Sequence, residues 1–83
     1  LITRAIADEA LLDEAATFIR ELAGKAPISM SLVKRLLNNA SYADLDAQLQ
    51  KELDGVFMCT ATQDWQEGVD AFAQKRPPHF KGC

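Results

Sequence analysis

Apolar residues recur at spacings of three and four along most of this chain, and they fall into four runs. Leu11, Leu12, Ala15, Phe18, Ile19 and Leu22 form the first. Ile28, Leu32, Val33, Leu36, Leu37 and Ala40 form the second. Leu45, Leu49, Leu53, Val56 and Phe57 form the third, and Trp65, Val69, Phe72 and Ala73 the fourth. That spacing places each run on one face of a helix and marks the face expected to be buried. The punctuation agrees. Asp8 reads as the N-cap of the first helix, and Gly24 with Lys25 as its end. Pro27 suits the first position of the second. Ser41 with Asp44 reads as a capping box for the third, and Thr62 as the cap of the fourth. Pro77-Pro78 cannot continue a helix and stops the last one after Lys75-Arg76. The pattern predicts helices near 9–23, 28–39, 42–61 and 63–75, followed by an extended tail anchored by Phe80.

The first seven residues, Leu1 to Ala7, are apolar and partly β-branched, without a helical period, and predict a short strand. A strand entering at the first residue reads as a cut through a larger protein. The expected fold is all-α: one domain over 1–83, with a strand-like remnant at 1–7 and helices and tail at 8–83. Gly55, inside the third helix, costs about 1 kcal/mol relative to alanine and predicts a close approach or a kink there.

Composition narrows the function. A chain of 83 residues buries only about 60–65% of its unfolded surface, so its own core is marginal. The net charge of −3 and the absence of a basic run weigh against nucleic acid, whose phosphates require a positive patch. No apolar run approaches the ~18–20 residues that span a bilayer and no signal-peptide pattern is present, so a cytoplasmic protein without a membrane partner is expected. Cys59 and Cys83, with His79 the single histidine, are too few for a zinc site; one packed and one exposed thiol are expected, and no metal.

No catalytic centre is legible. Asp44 and Asp46 point to different faces of a helix, and Asp13 and Glu14 read as solvated. Ser29, Ser31 and Ser41 lack a glycine elbow, and no phosphate-binding glycine loop occurs. His79 reads as a loop residue and Trp65 as a packed or interface side chain. Phe72 and Lys75 are three apart, so the predicted helix puts them on the same side. An aromatic face can stack on a purine, and an ammonium can pair with a phosphate. From spacing alone, a core Phe72 and a helix-end Lys75 are the expected reading, because such pairs are common.

The run from Thr62 to Gly82 resembles the ending of the enoyl-CoA hydratase/isomerase (crotonase) family. Thr62, Asp64, Glu67-Gly68, Ala71-Phe72, Lys75-Arg76, Pro77 and Phe80 match that ending in order, with Gln63 and Gln74 where the family more often has glutamate. Upstream, Leu1 to Ile6 is similar to the segment leaving the family's catalytic core. Ala7 to Leu12, and Lys25-Ala26-Pro27 with Lys34 and Asn38, are similar to the helices that follow. The resemblance implies the C-terminal helical part of an enzyme acting on acyl-CoA thioesters through a stabilised enolate. The oxyanion hole and the acid–base carboxylates would lie in a core outside these residues. This part would supply contacts in a homotrimer or hexamer and a portion of the CoA pocket. Phe72 and Lys75 would then be its cofactor-binding residues, toward the adenine and the 3′-phosphate. No catalytic residue is implied within the chain, and the chain alone is expected to be inactive.

Two other readings belong to different classes. An acyl carrier protein of this size needs Asp-Ser-Leu at a helix start, whereas the nearest run here, Met30-Ser31-Leu32, falls inside a helix. A free-standing helical interaction module would be a stable monomer without an open apolar face.

Overall fold

The computed structural model describes residues 2–83. A 3-10 turn over Asp8–Ala10 leads into α1 (Leu11–Ala23), which is followed by α2 (Pro27–Asn39), α3 (Leu45–Thr60) and α4 (Gln63–Ala73). The all-helical architecture is as the pattern predicts. The expected N-terminal strand does not form: residues 2–7 run as irregular chain, and no strand occurs among the described residues. A strand is held by a neighbouring ladder, and no such partner is present there. Leu1, which also belonged to that expectation, lies outside the described residues. The segment is instead tied to α1 by Arg4. Its guanidinium lies 5.1 Å from the Phe18 ring centroid and pairs with Glu14 at 3.6 Å and Glu21 at 3.8 Å. Glu14, Phe18 and Glu21 share one helix face at spacings of four and three.

Caps decide the helix boundaries. The first turn of the first helix tightens to 3-10, with Ala10 N–H donating to Ala7 C=O at 3.0 Å, and Asp8 makes no cap. Ala26 is extended ahead of Pro27, as a residue before proline must be, and α2 starts on the proline itself. The expected Ser41 cap is displaced. Asp44 is the N-cap, its Oδ1 accepting from Ala47 N–H at 2.8 Å, so α3 begins three residues later than expected. An aspartate at the third helical position is too short to reach back to a Ser41 amide, whereas at the N-cap it meets that amide's counterpart directly. The Thr62 hydroxyl joins two helices: it donates to Cys59 C=O at 2.7 Å and accepts from Trp65 N–H at 3.1 Å.

α3 packs against both α2 and α4, while α1 packs mainly on the 3-10 turn before it. The result is a slab of 42 × 39 × 18 Å. Its radius of gyration is 15.9 Å, against about 12 Å for a compact domain of this length. Ala71 is the one buried hydrophobic residue among those described, and no large side chain is fully enclosed. The apolar stripes exist where the periodicity places them, but they are open rather than buried. Leu12 is 83% exposed, Leu37 69% and Phe57 64%. The accessible surface is 6992 Å², whereas a compact monomer of this mass exposes about 4,900 Å². Gly55 is buried, yet a methyl group there would meet nothing within 4 Å, so the close approach expected of it is not made within this chain.

Candidate functional site

The polar chemistry of the chain converges on α4 and the tail that folds back along it. α4 ends at Ala73, two residues before the expected boundary. Arg76 N–H donates to Ala71 C=O at 3.0 Å and Lys75 N–H to Phe72 C=O at 3.2 Å, the pair of bonds that defines a Schellman stop. Such a stop needs a left-handed residue, usually glycine. Here Lys75 occupies it with φ of 54°. The helical-spacing argument for Phe72 and Lys75 therefore does not hold, because Lys75 lies beyond the helix. The core reading of Phe72 is also wrong: its side chain is 87% exposed. The two are brought to the same end of α4 by the turn, not by helical register. Lys75 takes part in no ion pair among the described residues.

Two carboxylates hold the tail. Pro77 and Pro78 lack an N–H, so the first amide after them belongs to His79, and it donates to Glu67 Oε1 at 2.8 Å. Glu67 also receives the Arg76 fork, Nη1 on Oε1 at 2.6 Å and Nη2 on Oε2 at 2.9 Å. Further along, Asp64 is 4% exposed and accepts from Lys81 N–H at 2.7 Å and Gly82 N–H at 2.8 Å, one per oxygen. The Asp64 N–H in turn donates to Cys83 C=O at 3.0 Å. Phe80 is half-buried over Gly68, and Gly82, at φ of 81°, rests against Pro27. An L-residue at 82 would lose roughly 1–2 kcal/mol to that backbone alone.

The Arg76 fork, helped by the His79 amide, lowers the Glu67 pKa from 4.5 to about 2. The same pair raises Arg76 above its usual value. A carboxylate depressed on folding contributes stability that is complete above its unfolded pKa and is lost as pH falls through the folded one. The clamp should therefore hold through pH 4.5 and weaken progressively toward about 2. An NMR titration of the His79 amide should show its inflection near the lower value. An inflection at the ordinary glutamate range would show that the fork does not persist in solution.

Two apolar hollows lie between the helices, and the smaller of them reaches the tail at Phe80. One, of about 610 Å³, lies between α2 and α3 and is lined by Leu32, Val33, Leu36, Leu37, Val56 and Trp65. The other, of about 380 Å³, is bounded by Ala26, Thr62, Trp65, Val69, Phe72 and Phe80. Ser29 Oγ lies 3.3 Å from Cys59 Sγ where they meet; Cys59 is half-buried and Cys83 exposed, as expected of them. Trp65, half exposed, borders both hollows. The described residues contain no group of three His, Cys, Asp or Glu able to hold a metal. No helix of the described residues is long and apolar enough to cross a membrane. Asp64 and Glu67 are occupied by backbone amides and a guanidinium, which makes them clamps for the tail. The arrangement is one of apolar surface beside an exposed aromatic and a lysine. Sequence reasoning named Asp64 and Glu67 among the residues of the family-like ending but gave neither a partner; the available sign of a returning tail was the Pro-Pro pair followed by Phe80.

The family model described as enoyl-CoA hydratase/isomerase matches residues 1–83. The chain is 37% identical over 82 residues to 1,2-epoxyphenylacetyl-CoA isomerase of Escherichia coli, covering 99% of this chain and 31% of that protein. It is 31% identical over 80 residues to crotonyl-CoA hydratase of Syntrophomonas wolfei, covering 96% and 31%. Among solved structures, an enoyl-CoA hydratase from Bacillus anthracis superimposes with a TM-score of 0.87 at 31% identity, over 94% of this chain and 30% of that one. One from Polaromonas sp. JS666 gives 0.91 at 29% identity, over 96% and 31%. The chain thus spans less than a third of the length of these relatives. The helical fold is shared and the family model covers every residue: the chain belongs to the enoyl-CoA hydratase/isomerase family.

Proposed function

We propose that these residues are the C-terminal helical part of an enzyme that acts on acyl-CoA thioesters, supplying subunit contacts and one wall of the CoA site. The observation that carries this reading is the exposed edge of Phe72 and Lys75 at the end of α4, in a chain that the family model matches throughout. Phe72 offers an open aromatic face to an adenine, and Lys75 an unpaired ammonium to the 3′-phosphate of CoA. The enolate of the thioester would be stabilised by backbone N–H donors elsewhere in the enzyme, as preorganised dipoles stabilise developing charge. The open faces of α1, α2 and α3 would be covered by that core and by neighbouring subunits in a trimer or hexamer. The same open faces weigh against a free-standing helical module. Ser31, in the middle of α2, is unsuited to carry a phosphopantetheine arm.

Stacking on adenine and pairing with a phosphate concern a part of the substrate that does not react. Interactions equal in the ground and transition states change KM and leave kcat alone. In the full-length enzyme, Lys75→Ala should raise KM for acyl-CoA by about ten-fold, the scale of one charged hydrogen bond, with the effect shrinking as salt is added. It should leave KM for the 3′-dephospho-CoA thioester unchanged. Equal effects on both substrates, or on neither, would remove the phosphate contact from the account. The 83-residue chain alone should show no hydration or isomerisation of an enoyl-CoA. Turnover abolished by mutating one of its own carboxylates would place the chemistry here after all.

A further inference from the structure

The geometry points to Glu67 as a positioning residue for Lys75: through the Arg76 guanidinium it holds the left-handed turn from which Lys75 presents its ammonium to a phosphate of the nucleotide. This inference rests on the phosphate contact proposed above and extends it to residues that touch no substrate. A lysine at φ of 54° is in a conformation that L-residues avoid, and nothing in its own side chain compensates for it. The compensation comes from its neighbours. Arg76, the next residue, closes the helix through its N–H on Ala71 C=O and grips both oxygens of Glu67 at 2.6 and 2.9 Å. Its Nε donates to Gln74 Oε1 at 2.9 Å, and its Nη1 also reaches Pro77 C=O at 3.2 Å. The residues on either side of Lys75 are thereby tied into one cluster centred on the fork, and Lys75 is the member left free at its tip. A bidentate arginine–carboxylate pair fixes direction as well as distance, which suits it to aim a neighbour.

The tail has a second, separate anchor in Asp64, which holds Lys81 and Gly82 and makes no contact with the turn at Lys75. That separation allows aiming to be distinguished from general support of the tail. The readout is the ratio of KM for the 3′-dephospho thioester to KM for the acyl-CoA, measured in the full-length enzyme at low salt. Glu67→Gln keeps the shape but removes the charge that holds the fork. It should lower the ratio about two- to five-fold, the range expected for one partly exposed ion pair, with kcat unchanged. Arg76→Lys should lower it similarly, because it keeps the charge but not the fork. The double variant should be no worse than either single one, since both act through one contact. Asp64→Asn, which loosens the other anchor, should leave the ratio as in wild type. If Asp64→Asn lowers the ratio as far as Glu67→Gln, or if Glu67→Gln leaves it intact while Lys75→Ala abolishes it, the positioning role is wrong and the phosphate contact stands. If Lys75→Ala itself leaves the ratio intact, the phosphate contact fails and the positioning role fails with it.

Discussion

Asp64→Ala should free the end of the chain from α4. Its two oxygens each accept one tail amide, at 2.7 and 2.8 Å, from a position that is 4% exposed. Hydrogen bonds to a charged group are worth roughly 1.5–3 kcal/mol each, so losing both should weaken the docked tail by about 3–6 kcal/mol. Two amides would be left without an acceptor, and the cheapest remedy is for residues 80–83 to lift into water, while the His79 amide stays on Glu67. Phe80 would leave Gly68 with them, opening the hollow beside Phe72. In hydrogen exchange the Lys81 and Gly82 amides should lose protection by about 100-fold or more. Asp64→Asn should lie between, since it retains one acceptor and the shape. Undiminished protection of both amides in the alanine variant would show that the tail is held by something other than this carboxylate.

The isolated chain should show stability that depends on its own concentration. It exposes roughly 2,000 Å² more than a compact monomer of its mass, while each partner in a standard interface contributes about 800 Å². The excess is carried by α1, α2 and α3, through Leu12, Ile19, Leu37, Leu49 and Phe57 among others. With Ala71 the one buried hydrophobic residue described, a single copy lacks the burial that offsets chain entropy. Two or more copies can cover one another's stripes. Association linked to folding raises the melting temperature with concentration, because mass action favours the assembled state. Calorimetry at 10-fold different concentrations should give midpoints several degrees apart. A single cooperative transition at one temperature, whatever the concentration, would show that the slab is stable alone.

What the sequence revealed and what it hid divide by the distance over which each feature is decided. Pro27 at a helix start and Thr62 at an N-cap were legible because each depends on amides within three residues. The cap of α3 was expected at Ser41 and forms at Asp44 because both residues are good caps, three positions apart, and local sequence does not decide between them. The helical faces were legible from periodicity, but their burial was not. Spacing shows which side of a helix is apolar, and only neighbouring chain shows whether anything covers it. Phe72 illustrates this: it falls on the apolar face of α4 and yet is among the most exposed of the large hydrophobic residues described. The clamps at Asp64 and Glu67 were hidden because their partners lie 9 to 18 residues away, across a turn whose path the sequence does not specify. The left-handed Lys75 was hidden for a related reason, since glycine is the usual signal for that conformation and none stands there. The N-terminal strand was overread, because β-branched residues favour extended chain but do not supply a partner.

The central claim is that these helices form a layer made to be covered. Light scattering of the purified 83-residue chain at micromolar concentration tests it most directly. The account predicts a mass that is a multiple of 9.1 kDa and falls on dilution. A monodisperse species of 9.1 kDa at every concentration would contradict it.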